Sequence, residues 1–195
     1  MLYRNIAEEI IRLAQDDESM REKLLQRGEL HGRYHAEMET IHQRNAERLR
    51  EIIAEIGYPT ISKVGEAASN SAWLIVQHAI GEPQFMQDCY QLLLDNIMDI
   101  NLANLAYLHD RIQVFKSKPQ RYGTQLSSGG SIYPVEDKSA INSLRSRMNL
   151  LPLNPIEMNK IEHVERIQLL DQENDTYNEW RKKSWLGELI FRHFL

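Results

Sequence analysis

Between Ala67 and Val76 the chain runs Ala-Ala-Ser-Asn-Ser-Ala-Trp-Leu-Ile-Val without a single charge. A helix that is small or apolar on every side belongs in the middle of a fold. The spacing predicts such a helix over 62–79, with Gln77 and His78 near its end, where a buried element can deliver polar groups to a pocket. Small residues let neighbours approach closely, so helices at 30–56, 83–99 and 102–116 are expected around it. The expected fold is mainly α: an irregular helical domain around a buried central helix, with one small β-hairpin.

The surrounding segments carry one-sided patterns. Leu2, Ile6, Ile10, Leu13 and Leu24 make an amphipathic helix of residues 2–26, which Gly28 stops. In residues 30–56, Leu30, Tyr34, Met38, Ile41, Asn45, Leu49, Ile52 and Ile56 recur at steps of three and four. Asn45 interrupts that stripe and must find a hydrogen-bond partner or line a cavity. His42 and Arg48 flank the same stripe. Pro83 suits the first turn of a helix over 83–99, with Phe85, Cys89, Leu92 and Leu93 inward. Asn101 caps the next helix. There Leu105, Leu108, Ile112 and Phe115 form one face, and Tyr107, Arg111 and Val114 a second, with Asp110 beside it.

Pro119 ends that helix. Runs at 121–126 and 131–135 flank Ser127-Ser128-Gly129-Gly130 and predict the hairpin. Asp137 caps a helix over 138–149, and the charged residues 156–180 are expected to be helical. Three parts follow: an N-terminal helical extension, 1–28; a core domain, 29–152; and a C-terminal helical extension, 153–195.

Bulk numbers narrow the function classes. A net charge of −5 and 42% apolar residues suit a soluble domain and argue against nucleic acid as a partner. One cysteine, Cys89, excludes an intrachain disulfide and reads as a buried hydrophobe. The N-terminus has acids where a signal peptide needs an apolar run, and no segment approaches the ~18 apolar residues of a membrane span. A cytoplasmic location is the expectation. The apolar run Trp185–Leu195 is expected to dock on the domain or on a second copy, giving a homo-oligomer.

Five blocks occur in order: Gly57-Tyr58-Pro59-Thr60; Val64-Gly65; Ala72-Trp73-Leu74-Ile75-Val76-Gln77-His78; Ala106-Tyr107-Leu108-x-Asp110-Arg111; and Gln120-x-Tyr122-Gly123-Thr124-Gln125. Over about residues 35–152 this resembles the bacterial domain-of-unknown-function family 6624, which usually has Trp where this chain has Tyr58. The resemblance implies that Gln77, His78, Asp110, Arg111 and the Gln120–Gln125 block belong to the family's hallmark. It implies no reaction.

The residues themselves suggest a polar pocket of His42, Asn45, Gln77, His78, Asp110, Arg111, Tyr122 and Gln125. In an enzyme, His78 is the general base oriented by Asp110, and Arg111 holds a small anionic substrate. Tyr122 or Gln125 then positions its polar atoms. A metal on His42, His78, Asp110 and His109 is set aside, because neighbouring helix positions such as His109 and Asp110 point about 100° apart. No metal site is assigned, and the cofactor is left open. His31 and His35, one turn apart, read as a solvated helix start. The alternative is a non-catalytic interaction protein, in which Asp110 and Arg111 brace the hairpin and the terminal helices recruit partners.

Overall fold

The computed structural model describes residues 2–30, 34–127, 129–166 and 175–186. Its helices are α1 (Arg4–Gln26), α2 (Ala36–Ile56), α3 (Ile61–Val64), α4 (Glu66–His78), α5 (Pro83–Asp95), α6 (Leu102–Phe115), α7 (Ile141–Arg147), α8 (Pro155–Asn159) and α9 (Asp175–Arg181). No helix among the described residues is long and apolar enough to cross a membrane.

The uncharged stretch forms α4, and Ala68, Ala72, Ile75 and Val76 are buried on it. The expected 62–79 helix is split, because Gly65 adopts φ +83° and separates α3 from α4; a side chain is costly in that region. Around α4 stand α2, α5 and α6, as the pattern predicts, but its largest contact is with α1. Ala7, Ile10 and Ala14 of α1 lie in the same core as Leu49, Ile75, Met86 and Leu108. The segment expected as an N-terminal extension is therefore packed into the centre.

Local chemistry sets the helix ends. His35 caps α2 by accepting from the Glu37 N–H at 3.3 Å, and Asn101 caps α6 by accepting from Ala103 at 3.0 Å. His31, the other half of the solvated pair, lies outside the described residues.

The hairpin does not form. Among the described residues there is no sheet, only isolated bridges at Gln120–Val135, Leu126–Ile132 and Ile132–Ile161. The turn closes, with Ser127 N–H donating to Ser131 at 2.8 Å, but the ladder behind it is missing. Its donors are used elsewhere: the N–H groups of Arg121, Tyr122 and Thr124 go to the Asp110 carboxylate. A small second core of Ile132, Val135, Ile141, Leu153 and Ile161 lies beneath this irregular segment.

The expected helix over 156–180 is also broken. Asn154 and Glu157 make a reciprocal capping box at α8, but Ile161 leaves the helix to bridge Ile132. After α9 a short π-helix covers Lys182–Leu186. Trp185 docks on its own chain: its indole donates to the Ile80 carbonyl at 2.8 Å, and its ring stacks on Phe115 at 4.8 Å. Residues 187–195, the rest of the run expected to bind a second copy, lie outside the described residues.

Candidate functional site

Two of the expected pocket residues meet, and they meet on a residue the sequence reading passed over. His42 reaches Asp17 with Nε2 at 3.1 Å, and His78 reaches the other carboxylate oxygen with Nδ1 at 2.6 Å. The three come from α2, α1 and α4. Asp17 is 1% exposed, whereas the His78 side chain is 25% exposed. The cluster therefore has a buried floor and an open edge.

Asp17 occupies a core position of an amphipathic helix. Ala7, Ile10, Ala14, Asp17 and Leu24 are its buried residues, on steps of three, four and seven. A charge on such a row is the signal that finds it, by the same logic that singled out Asn45. Burial alone raises a carboxyl pKa, but the hydrogen bonds and charges of His42 and His78 outweigh it and hold Asp17 well below its ordinary value.

Behind His42 stands Tyr34, its hydroxyl 2.6 Å from Nδ1 and its ring stacked on the imidazole. Burial, then Glu39 and Asp17, push the Tyr34 hydroxyl well above its usual pKa, while the charge of Arg111 opposes them. Trp180 packs on Tyr34 at 5.5 Å and on Phe115 at 6.0 Å, closing one side. Asn45, one turn beyond His42, donates to the Leu13 carbonyl at 2.9 Å and ties α2 to α1.

Gln77 is buried, and its Oε1 has no hydrogen-bond partner among the described residues.

The remaining expected residues form a different structure. Asp110 does not orient His78. Its carboxylate accepts from the N–H groups of Arg121, Tyr122 and Thr124 at 2.8–3.1 Å, and from the Thr124 hydroxyl at 2.9 Å. Burial pushes Asp110 up to about 6, against the pull of those donors. Gln120, fully buried, donates to the Gln125 and Tyr133 carbonyls and accepts from the Gln125 N–H. Arg145 donates to the Tyr122 carbonyl at 2.7 Å. Arg111 donates to the Gln125 side chain at 3.4 Å, adding a further tie between α6 and this segment.

His109 faces another way. It bonds the Tyr90 hydroxyl at 3.1 Å, beside a shallow cleft of about 150 Å³ that Gln87, Gln113 and Lys116 also line. Cys89 is buried, and burial pushes its thiol up to about 12, as suits an inert core residue.

No curated protein and no solved structure matches this chain. A family model does, and its match takes in α1 with Asp17 as well as the segment expected from the motif blocks. Over residues 4–167 the chain belongs to the family of unknown function DUF6624.

Proposed function

We propose that this protein is an enzyme or small-molecule-binding domain whose working centre is the Asp17–His42–His78 cluster, and that its ligand is small and anionic. One observation carries the reading: two imidazoles from different helices converge on one buried carboxylate, and one of them reaches solvent. Imidazoles move protons near neutral pH, and a buried carboxylate fixes their orientation. His78, at the open edge, is the group that meets the ligand. Arg111, the cation of α6 that reaches the Gln125 side chain, is the group assigned to hold the anion.

The test is a thermal-shift screen of small carboxylates and phosphate monoesters. A ligand at about 100 times its Kd stabilises the fold by about 2.7 kcal/mol, a readily measured rise in Tm. That rise should vanish in His78→Ala and shrink in Arg111→Ala. Equal shifts in wild type and His78→Ala, or no shift across both classes, would sink the reading.

A second reading rests on the Asp110 brace. Asp110 and Gln120 spend their hydrogen-bonding capacity on the 120–125 segment, as suits a non-catalytic interaction protein. It predicts that no small ligand protects the chain.

A further inference from the structure

We propose that Asp17, His42 and His78 hold a divalent first-row transition-metal ion, bound by one carboxylate oxygen, His42 Nε2 and His78 Nδ1, with open positions on the His78 side. This rests on the pocket reading only in sharing its residues.

The geometry suits an ion. Metal–nitrogen and metal–oxygen bonds of about 2.0–2.2 Å place neighbouring ligand atoms roughly 3–3.5 Å apart. The carboxylate lies 3.1 Å from one imidazole nitrogen and 2.6 Å from the other, and all three donor atoms lie within 4.8 Å of one another. Small rotations of the carboxylate and rings open that space to one ion.

The chemistry suits a transition metal. Two imidazoles and one carboxylate are a mixed nitrogen–oxygen donor set, whereas magnesium and calcium favour oxygen alone. Three protein ligands with an exposed edge match sites that keep a position for water or substrate. A buried carboxylate also needs opposite charge beside it. The hydrogen bonds that the Asp17 side chain shows are to His42 and His78, and a divalent ion among the three adds a charge that this carboxylate can pair with.

Tyr34 completes the arrangement from behind. With an ion on Nε2, His42 carries its proton on Nδ1 and donates it to the Tyr34 oxygen, 2.6 Å away. Metal-bound histidines are commonly held by such a partner on the second nitrogen. The exposed group Glu29, His35 and Glu37 offers a rival set of donor atoms, but its residues have no comparable burial.

The test uses the full chain, stripped with a chelator and titrated with Zn²⁺ by calorimetry and with Co²⁺ by visible absorption. One ion per chain is expected, with Co²⁺ bands of a nitrogen–oxygen site and a rise in Tm. His78→Gln, at the half-exposed edge, is expected to keep the fold by circular dichroism and to lose at least about 100-fold in affinity. Tyr34→Phe should lose about 10- to 100-fold, the usual effect of removing such a partner. His35→Ala should bind as wild type does. No stoichiometric binding by wild type, or unchanged binding by a folded His78→Gln, overturns the proposal. If metal fails while an anion still protects wild type but not His78→Ala, the pocket stands without an ion. If metal binds and no anion does, the metal site stands alone.

Discussion

Tyr58 is 1% exposed, and its hydroxyl has no hydrogen-bond partner among the described residues. An unsatisfied buried hydroxyl costs about 1–3 kcal/mol. Tyr58→Phe removes the hydroxyl and keeps the ring, so it should stabilise the fold by about 1 kcal/mol, read as a higher urea midpoint at unchanged m. A lower midpoint would mean that the hydroxyl is satisfied. His109 sets a second prediction at this scale. Burial and the Arg121 charge hold its imidazole down to about 4, below the ~6.5 of an unfolded histidine. The stability it contributes is therefore present above pH ~6.5 and lost as pH falls towards 4. Asp110, pushed up to about 6, has the opposite sign: its contribution is lost as pH rises through about 6. The clean readout is the difference between wild type and His109→Gln. It should be flat above pH 7 and move against wild type on acidification; a flat difference down to pH 4 would contradict the sign. Single residues were unevenly legible. Asn45 announced itself by breaking an apolar row, and Asp17 breaks one in the same way, but the pattern read on α1 ran from Leu13 to Leu24 and skipped it.

The segment after α6 shows what patterning misses at the level of an element. Two short extended runs around a Gly-Gly turn predict paired strands, because backbone donors must go somewhere. Here they go to side chains. Asp110 takes the N–H groups of Arg121, Tyr122 and Thr124, and Gln120 stands in for a neighbouring strand. The two short runs do not separate these outcomes; the signal was Asp110 and Arg111 on the preceding helix together with the polar Gln120–Gln125 block, whose backbone groups need partners. Asp110→Asn replaces a pure acceptor with a group that is half donor. It should cost about 2–4 kcal/mol by urea denaturation and speed amide exchange at 121, 122 and 124. A loss under about 0.5 kcal/mol would mean the carboxylate does not hold the segment. Gly123 sits at φ +65° with Ile141 2.8 Å from where a Cβ would lie. Gly123→Ala should therefore cost about 1–2 kcal/mol, measured the same way. The helices were easier to read, since α2, α5 and α6 each bury a clear apolar face. The split at Gly65 was not, because one glycine in a helical pattern does not reveal its φ.

For the whole molecule, segments that patterning set outside the core domain pack against it from both sides of the sequence. The buried face of α1 lies in the main core with α4, and Trp185 reaches Phe115 from the other end. Deleting residues 1–28 should therefore abolish the cooperative urea transition rather than trim an accessory helix; a truncated chain that still unfolds sharply would show that the core stands without α1. Asp17, His42 and His78 are separated by 25 and 36 positions along the chain, and each rides on a different helix. An occupant bound there as proposed would grip the assembled trio far better than the same residues in the unfolded chain. Its concentration would then set how long the protein survives a protease, because each opening event must first release it. Supply of such an occupant would then regulate the protein's abundance.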